Sequence, residues 1–161
     1  MTAARVSIVA LTLAALAACA SKDGDTAGAS LDADTQALVD ELLAAAAGYD
    51  TWSQTADWTG INPTAGGAHG ESVQIWWNDS AFSAYEAGAA TPLPEGAILV
   101  KEGYTDASGA ELKAITYIWK NSGLFYLATN PDGSVMDAGY DYAYCLGCHE
   151  SAPDGVLSVT W

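Results

Sequence analysis

The sequence predicts an α+β fold: a mainly antiparallel β-sheet with a few packed helices in a single domain. Three observations carry this. Several short segments alternate apolar and polar residues or are rich in Ile, Tyr and Trp. The turns between them are too short for parallel crossovers. One amphipathic helix precedes them.

The helix comes first. Leu31, Leu38, Leu42 and Leu43 fall on one face through Asp32–Ala47, and Gly48 supplies a stop. Trp52–Ala68 is turn-rich, with Asn62-Pro63 and Gly66-Gly67 arguing for loop. Ser72–Trp77 alternates as a strand. Asn78 or Asp79 can cap a short helix through Glu86, which Gly88 can end. Pro92 and Pro94 make the next stretch irregular. Ala97–Tyr104 reads as a strand, turned at Asp106–Gly109 into a second at Leu112–Lys120. Asn121-Ser122-Gly123 leads to a third at Leu124–Thr129, closed by Asn130-Pro131-Asp132-Gly133. Val156–Trp161 is a candidate last strand.

Ahead of this domain, residues 1–18 have the plan of a secretory signal: Arg5, a short apolar run from Val6, then small residues. The run is too short to span a bilayer as a permanent anchor. It ends Leu16-Ala17-Ala18-Cys19, which resembles the lipobox of bacterial lipoproteins. That resemblance implies acylation of Cys19, a stable membrane anchor, and a place on the periplasmic side of the outer membrane, since Ala20 follows the cysteine. An ordinary signal peptide with a chance cysteine is the alternative. Residues 19–30 read as a flexible tether and residues 31–161 as the domain.

The 161-residue chain carries a formal charge of −15, with five Lys and Arg against 20 Asp and Glu. No basic patch exists to meet a phosphate backbone, so nucleic acid is not expected among the partners. An acidic surface suits attraction of a basic redox partner protein. With Cys19 lipidated, only Cys145 and Cys148 remain, and no disulfide framework holds the fold. Six Trp and eight Tyr supply a core instead.

Cys145-Leu146-Gly147-Cys148-His149 is a complete CxxCH haem attachment sequence. Two thiols add across the vinyl groups of one haem c, and His149 becomes an axial ligand of the iron. A thioredoxin-like CxxC would follow an early strand, and a zinc site needs four ligands, with only His69 left as a further nitrogen donor. Met136 and His69 are the available sixth ligands. Neither has a supporting motif, so an open or water-bound iron is the expected state.

Ile98-Leu99-Val100-Lys101-Glu102 sets a lysine inside an apolar run. Alternation puts Leu99, Lys101 and Gly103 on one face and Ile98, Val100 and Glu102 on the other. Taken alone, such a lysine reads as one that snorkels to the surface or guards an edge. The order of features, however, resembles the cytochrome P-460 family: His69-Gly70 before a strand ending Asn78-Asp79, a helix with Ala84-Tyr85 and Gly88, then Pro94 to Glu102, and a late CxxCH. The resemblance covers about residues 49–161. It implies a largely antiparallel sheet, a homodimer, and oxidation of hydroxylamine or a related small nitrogen species with electron transfer to an acceptor. It also implies a haem cross-linked through Lys101 to a porphyrin meso carbon. Related cytochromes c′-beta lack the cross-link and bind nitric oxide at a five-coordinate iron behind aromatic residues. Asp137 and Asp141 are candidate proton acceptors, and Phe82 and Phe125 candidate caps, with core packing as the plainer role for both aromatics. A non-catalytic gas-binding protein and a simple periplasmic electron carrier are the alternatives.

Overall fold

The computed structural model describes residues 30–64, 66–88 and 93–149. The signal segment, Cys19, nearly all of the tether and the candidate strand at 156–161 lie outside the described residues. Six antiparallel strands form one meander in chain order: β1 (Asn62–Pro63), β2 (Ser72–Trp77), β3 (Ile98–Tyr104), β4 (Leu112–Lys120), β5 (Leu124–Thr129) and β6 (Val135–Gly139). With helices α1 (Ala33–Ala45), α2 (Asp79–Glu86) and α3 (Ala143–His149), the α+β expectation holds. The sequence reading places β2 to β5 to within a residue and leaves out β1 and β6. The CxxCH sequence, Cys145 to His149, lies in α3.

Helix α1 starts where Asp32 accepts a hydrogen bond from Thr35 N at 2.9 Å. Beyond its end, Gly48 takes φ +77° and turns the chain toward a short 3-10 turn at Tyr49–Thr51. The helix buries Val39 and Leu42 against Ile98, Val100, Tyr117, Trp119, Phe125 and Leu127 on one sheet face. The other face holds Val73, Ile75, Trp77, Leu99, Ile118 and Tyr126, against which Phe82, Tyr85, Cys145 and Leu146 pack. The inner strands are therefore covered on both faces, which is why β3 opens as a continuous apolar run, Ile98-Leu99-Val100.

Asn78 fixes the entry to β3. Its Oδ1 accepts from Ala81 N, capping α2, and from Ile98 N at 3.1 Å, while its Nδ2 donates to Gly96 O at 2.8 Å. One side chain thereby ties the start of α2 to the first residue of β3 and helps set the phase of the strand. Phe125 is fully buried under α1, on the face away from Leu99 and Lys101, so its role is packing. Met136 is 41% exposed.

Leu42→Ala removes a fully buried side chain and should lower stability by about 2–5 kcal/mol. Leu43→Ala, at a half-buried position, should cost clearly less. Urea unfolding of the two variants tests the assignment of the α1 face.

Candidate functional site

Strand pairing aligns side chains in rows across the sheet. One row runs Ile75, Lys101, Thr116, Ala128, Asp137, and the next runs Trp77, Leu99, Ile118, Tyr126, Gly139. Directly paired residues share a face, so Lys101 stands on the side where α3 packs. Glu102 points to the opposite side. There it accepts a hydrogen bond from Tyr49 Oη at 2.6 Å and a short one from Tyr104 Oη. Burial and the carboxylate together push both phenols well above the usual tyrosine range. The neighbouring lysine and glutamate therefore do not pair with each other, and the clamp on Glu102 keeps Lys101 turned toward α3.

A cavity of about 20 Å³, room for about one water molecule and partly open to solvent, lies between this face and α3. His69, Ile75, Leu99, Lys101, Thr116, Ile118, Tyr126, Cys145 and His149 line it. Lys101, Cys145 and His149, distant in the sequence, thus meet at one wall-to-wall space. Burial pulls the Lys101 ammonium down to about 8, opposed by the nearby Cys145. Burial likewise pushes the Cys145 thiol up to about 11; Lys101 opposes that shift and Asp137 adds to it. His149 is buried, its ring 5.8 Å from that of Tyr126.

His69 also reaches the cavity, its ring perpendicular to that of His149 with centroids 6.1 Å apart. Burial, then the positive charge of Lys101, holds its imidazole down near about 3, so it is neutral at ordinary pH. Its seat depends on two glycines. A Cβ on Gly103 would stand 2.1 Å from His69 O, and one on Gly70, at φ +92°, 2.0 Å from Tyr104 O. Only residues without side chains allow this approach of loop to strand. Sequence reasoning gave His69 little weight; the signal available was the glycine beside it and the one at 103.

The candidate carboxylates stay outside. Asp137 shares the row of Lys101, but three strands away, about 14 Å at ordinary strand spacing. It acts on Cys145 electrostatically without lining the cavity. Asp141 is exposed in the turn before α3. Among the described residues no group of three or more His, Cys, Asp or Glu could hold a metal ion, which leaves no tetrahedral zinc site there.

The donor set suits a haem: two cysteines at haem spacing, one histidine and a largely apolar wall. Trp77, next to Leu99 in its row but not on the cavity wall, keeps a buried indole N–H with no hydrogen-bond partner among the described residues. The space is far below the roughly 300–1,000 Å³ of small-molecule sites, so seating a porphyrin requires α3 to stand further from the sheet. Cys145 is a free thiol. Haem attachment requires Cys148 as a thiol. No protein-family model matches the chain, and no curated protein matches it.

Two outcomes follow. Gly103→Ala should destabilise by about 1–3 kcal/mol by driving a methyl into the His69 backbone. Gly133→Ala, at φ +84° with nothing within 4 Å, should cost only about 1–2 kcal/mol of left-handed strain; urea midpoints compare them. Separately, Lys101 in the haem-free protein binds fewer protons folded than unfolded between pH 8 and 10.5. Its burial penalty is complete below pH 8 and is relieved as pH rises through that window. Stability relative to Lys101→Met should therefore rise from pH 8 to 10.5, which denaturation at a series of pH values measures.

Proposed function

We propose that this chain is a haem c protein of the cytochrome P-460 type that oxidises hydroxylamine or a related small nitrogen species and passes electrons to an acceptor. Cys145 and Cys148 would tether the porphyrin, His149 would hold the iron, and Lys101 would modify the macrocycle. The observation that carries the reading is that Lys101 lines the same cavity as Cys145 and His149. A lysine that merely guarded an edge or snorkelled outward would not turn inward on an inner strand.

The haem supplies the redox chemistry and a site for a small ligand. The chain supplies the rest. Ile75, Leu99 and Ile118 give the space an apolar wall, against which charges and hydrogen bonds are less screened than in water. The depressed pKa of Lys101 keeps a share of its amine neutral near pH 8. The sequence of residues 1–19 supports export and a lipid anchor at Cys19 on the periplasmic side of the outer membrane. A homodimer and a redox partner protein belong to the same reading.

A second reading, a non-catalytic nitric oxide or gas-binding protein of the cytochrome c′-beta type, is favoured by one observation: no carboxylate among the described residues lines the cavity. Hydroxylamine oxidation releases protons, and an acceptor within hydrogen-bond reach would assist it. A simple electron carrier gains no support from Met136, which is exposed.

Lys101→Leu decides between the first two. The P-460 reading expects the variant to retain covalent haem while its reduced Soret band moves to the position of an ordinary c-type haem and hydroxylamine turnover is lost. A spectrum identical to that of the unmodified protein would remove the cross-link and leave the gas-binding reading.

A further inference from the structure

Glu102 is clamped on the sheet face away from the cavity and has no part in the haem reading. Val100, Glu102 and Tyr104 alternate onto that face, the one that α1 covers. Both oxygens of Glu102 are taken by phenols. Tyr49 Oη donates to one at 2.6 Å, and Tyr104 Oη donates to the other. No lysine among the described residues forms an ion pair with it. By comparison, Tyr85 Oη reaches Asp57 only at 3.4 Å, in an exposed position.

Tyr49 also touches two further aromatic rings. Its ring centroid lies 5.2 Å from that of Trp76 and 6.4 Å from that of Tyr117, both edge-on. Trp76 and Tyr117 are buried, and both pair with Val100, so the sheet itself fixes their spacing. The 3-10 turn that Gly48 introduces seats the Tyr49 ring over them. Burial, then the hydrogen bond to Glu102, holds the Tyr49 phenol protonated well above the usual tyrosine range. The phenol therefore does not titrate at ordinary pH. Its proton leaves only when an electron leaves too, and the acceptor for that proton is already in hydrogen-bond contact.

We propose that Tyr49 and Glu102 form a one-electron redox site, in which a strong one-electron oxidant takes an electron from the phenol while the phenol proton passes to the carboxylate. The O–H bond of Tyr49 breaks and an O–H bond forms on Glu102. The products are a neutral phenoxyl radical, a neutral carboxylic acid and the oxidant reduced by one electron. A phenol oxidised with its proton in place is a strongly acidic cation, so an acceptor within hydrogen-bond reach eases the loss of the electron. Trp76 and Tyr117 extend the site, because rings in contact let the oxidising equivalent arrive or depart by hopping. Tyr104 is a positioning residue that holds the second oxygen and keeps the first aimed at Tyr49. The site stands on this cluster alone and is independent of the haem reading.

The test uses the full chain as isolated, oxidised by a photogenerated tris-bipyridine ruthenium(III) complex and read by electron paramagnetic resonance. The main tyrosyl signal should be lost in Tyr49→Phe and persist in Tyr104→Phe. In Glu102→Gln its yield should fall about tenfold, the loss of one hydrogen bond to a charged group. Glu102→Gln keeps the shape of the side chain, and its urea midpoint separates a folding defect from the loss of the acceptor. In the unmodified protein the radical should form more slowly in deuterium oxide than in water, an effect that a purely structural clamp does not produce. A signal of unchanged yield in Tyr49→Phe or in Glu102→Gln would overturn the proposal. So would equal rates in the two solvents, or no tyrosyl signal at all.

Discussion

The site depends on one constraint: β3 is covered on both faces, so its strict alternation leaves no solvent side to which Lys101 could turn. Ile98 and Val100 fill the core beneath α1, and Leu99 fills the core beneath α3. A slip of one residue would drive Lys101 under α1 and Glu102 into the cavity. Asn78 opposes that slip at the strand start, and the two tyrosines on Glu102 oppose it at the strand end.

This arrangement is costly, and the costs collect at the cavity. A lysine held with a pKa near 8 has lost much of its hydration without gaining a carboxylate partner. His69 is in the same position, and Trp77 keeps an unpaired N–H in the core. The aromatic and aliphatic packing on both faces, with α1 as its largest element, offsets these costs. A desolvated lysine and a desolvated histidine on one cavity wall are the pattern expected of a site.

Much of the sheet was legible because its signals are local. Alternation in Ser72–Trp77, the Asn-Pro-Asp-Gly turn and the Asn78 cap all act within a few residues. β6 was not legible: Val135-Met136-Asp137-Ala138-Gly139 has one strong strand former and becomes a strand through its pairing with β5. The two residues of β1, one of them proline, carry no periodicity at all. At the site, CxxCH and the lysine were visible as residue types, but their meeting was not, because it follows from the fold of α3 onto β3 and β4. Asp137 and Asp141 drew weight from lying near the motif in sequence, and nearness along the chain did not bring them to the cavity wall. His69 drew little, because its placement comes from backbone contact with Gly103, a long-range event without a sequence pattern.

The central claim is that Lys101, Cys145, Cys148 and His149 act on one covalent haem. Peptide mapping of the mature protein, made with a c-type haem maturation system, tests it most directly. The account predicts haem on the Cys145–Cys148 peptide through two thioethers, joined to the peptide that carries Lys101. A haem-free peptide with Cys148 in a disulfide would contradict it.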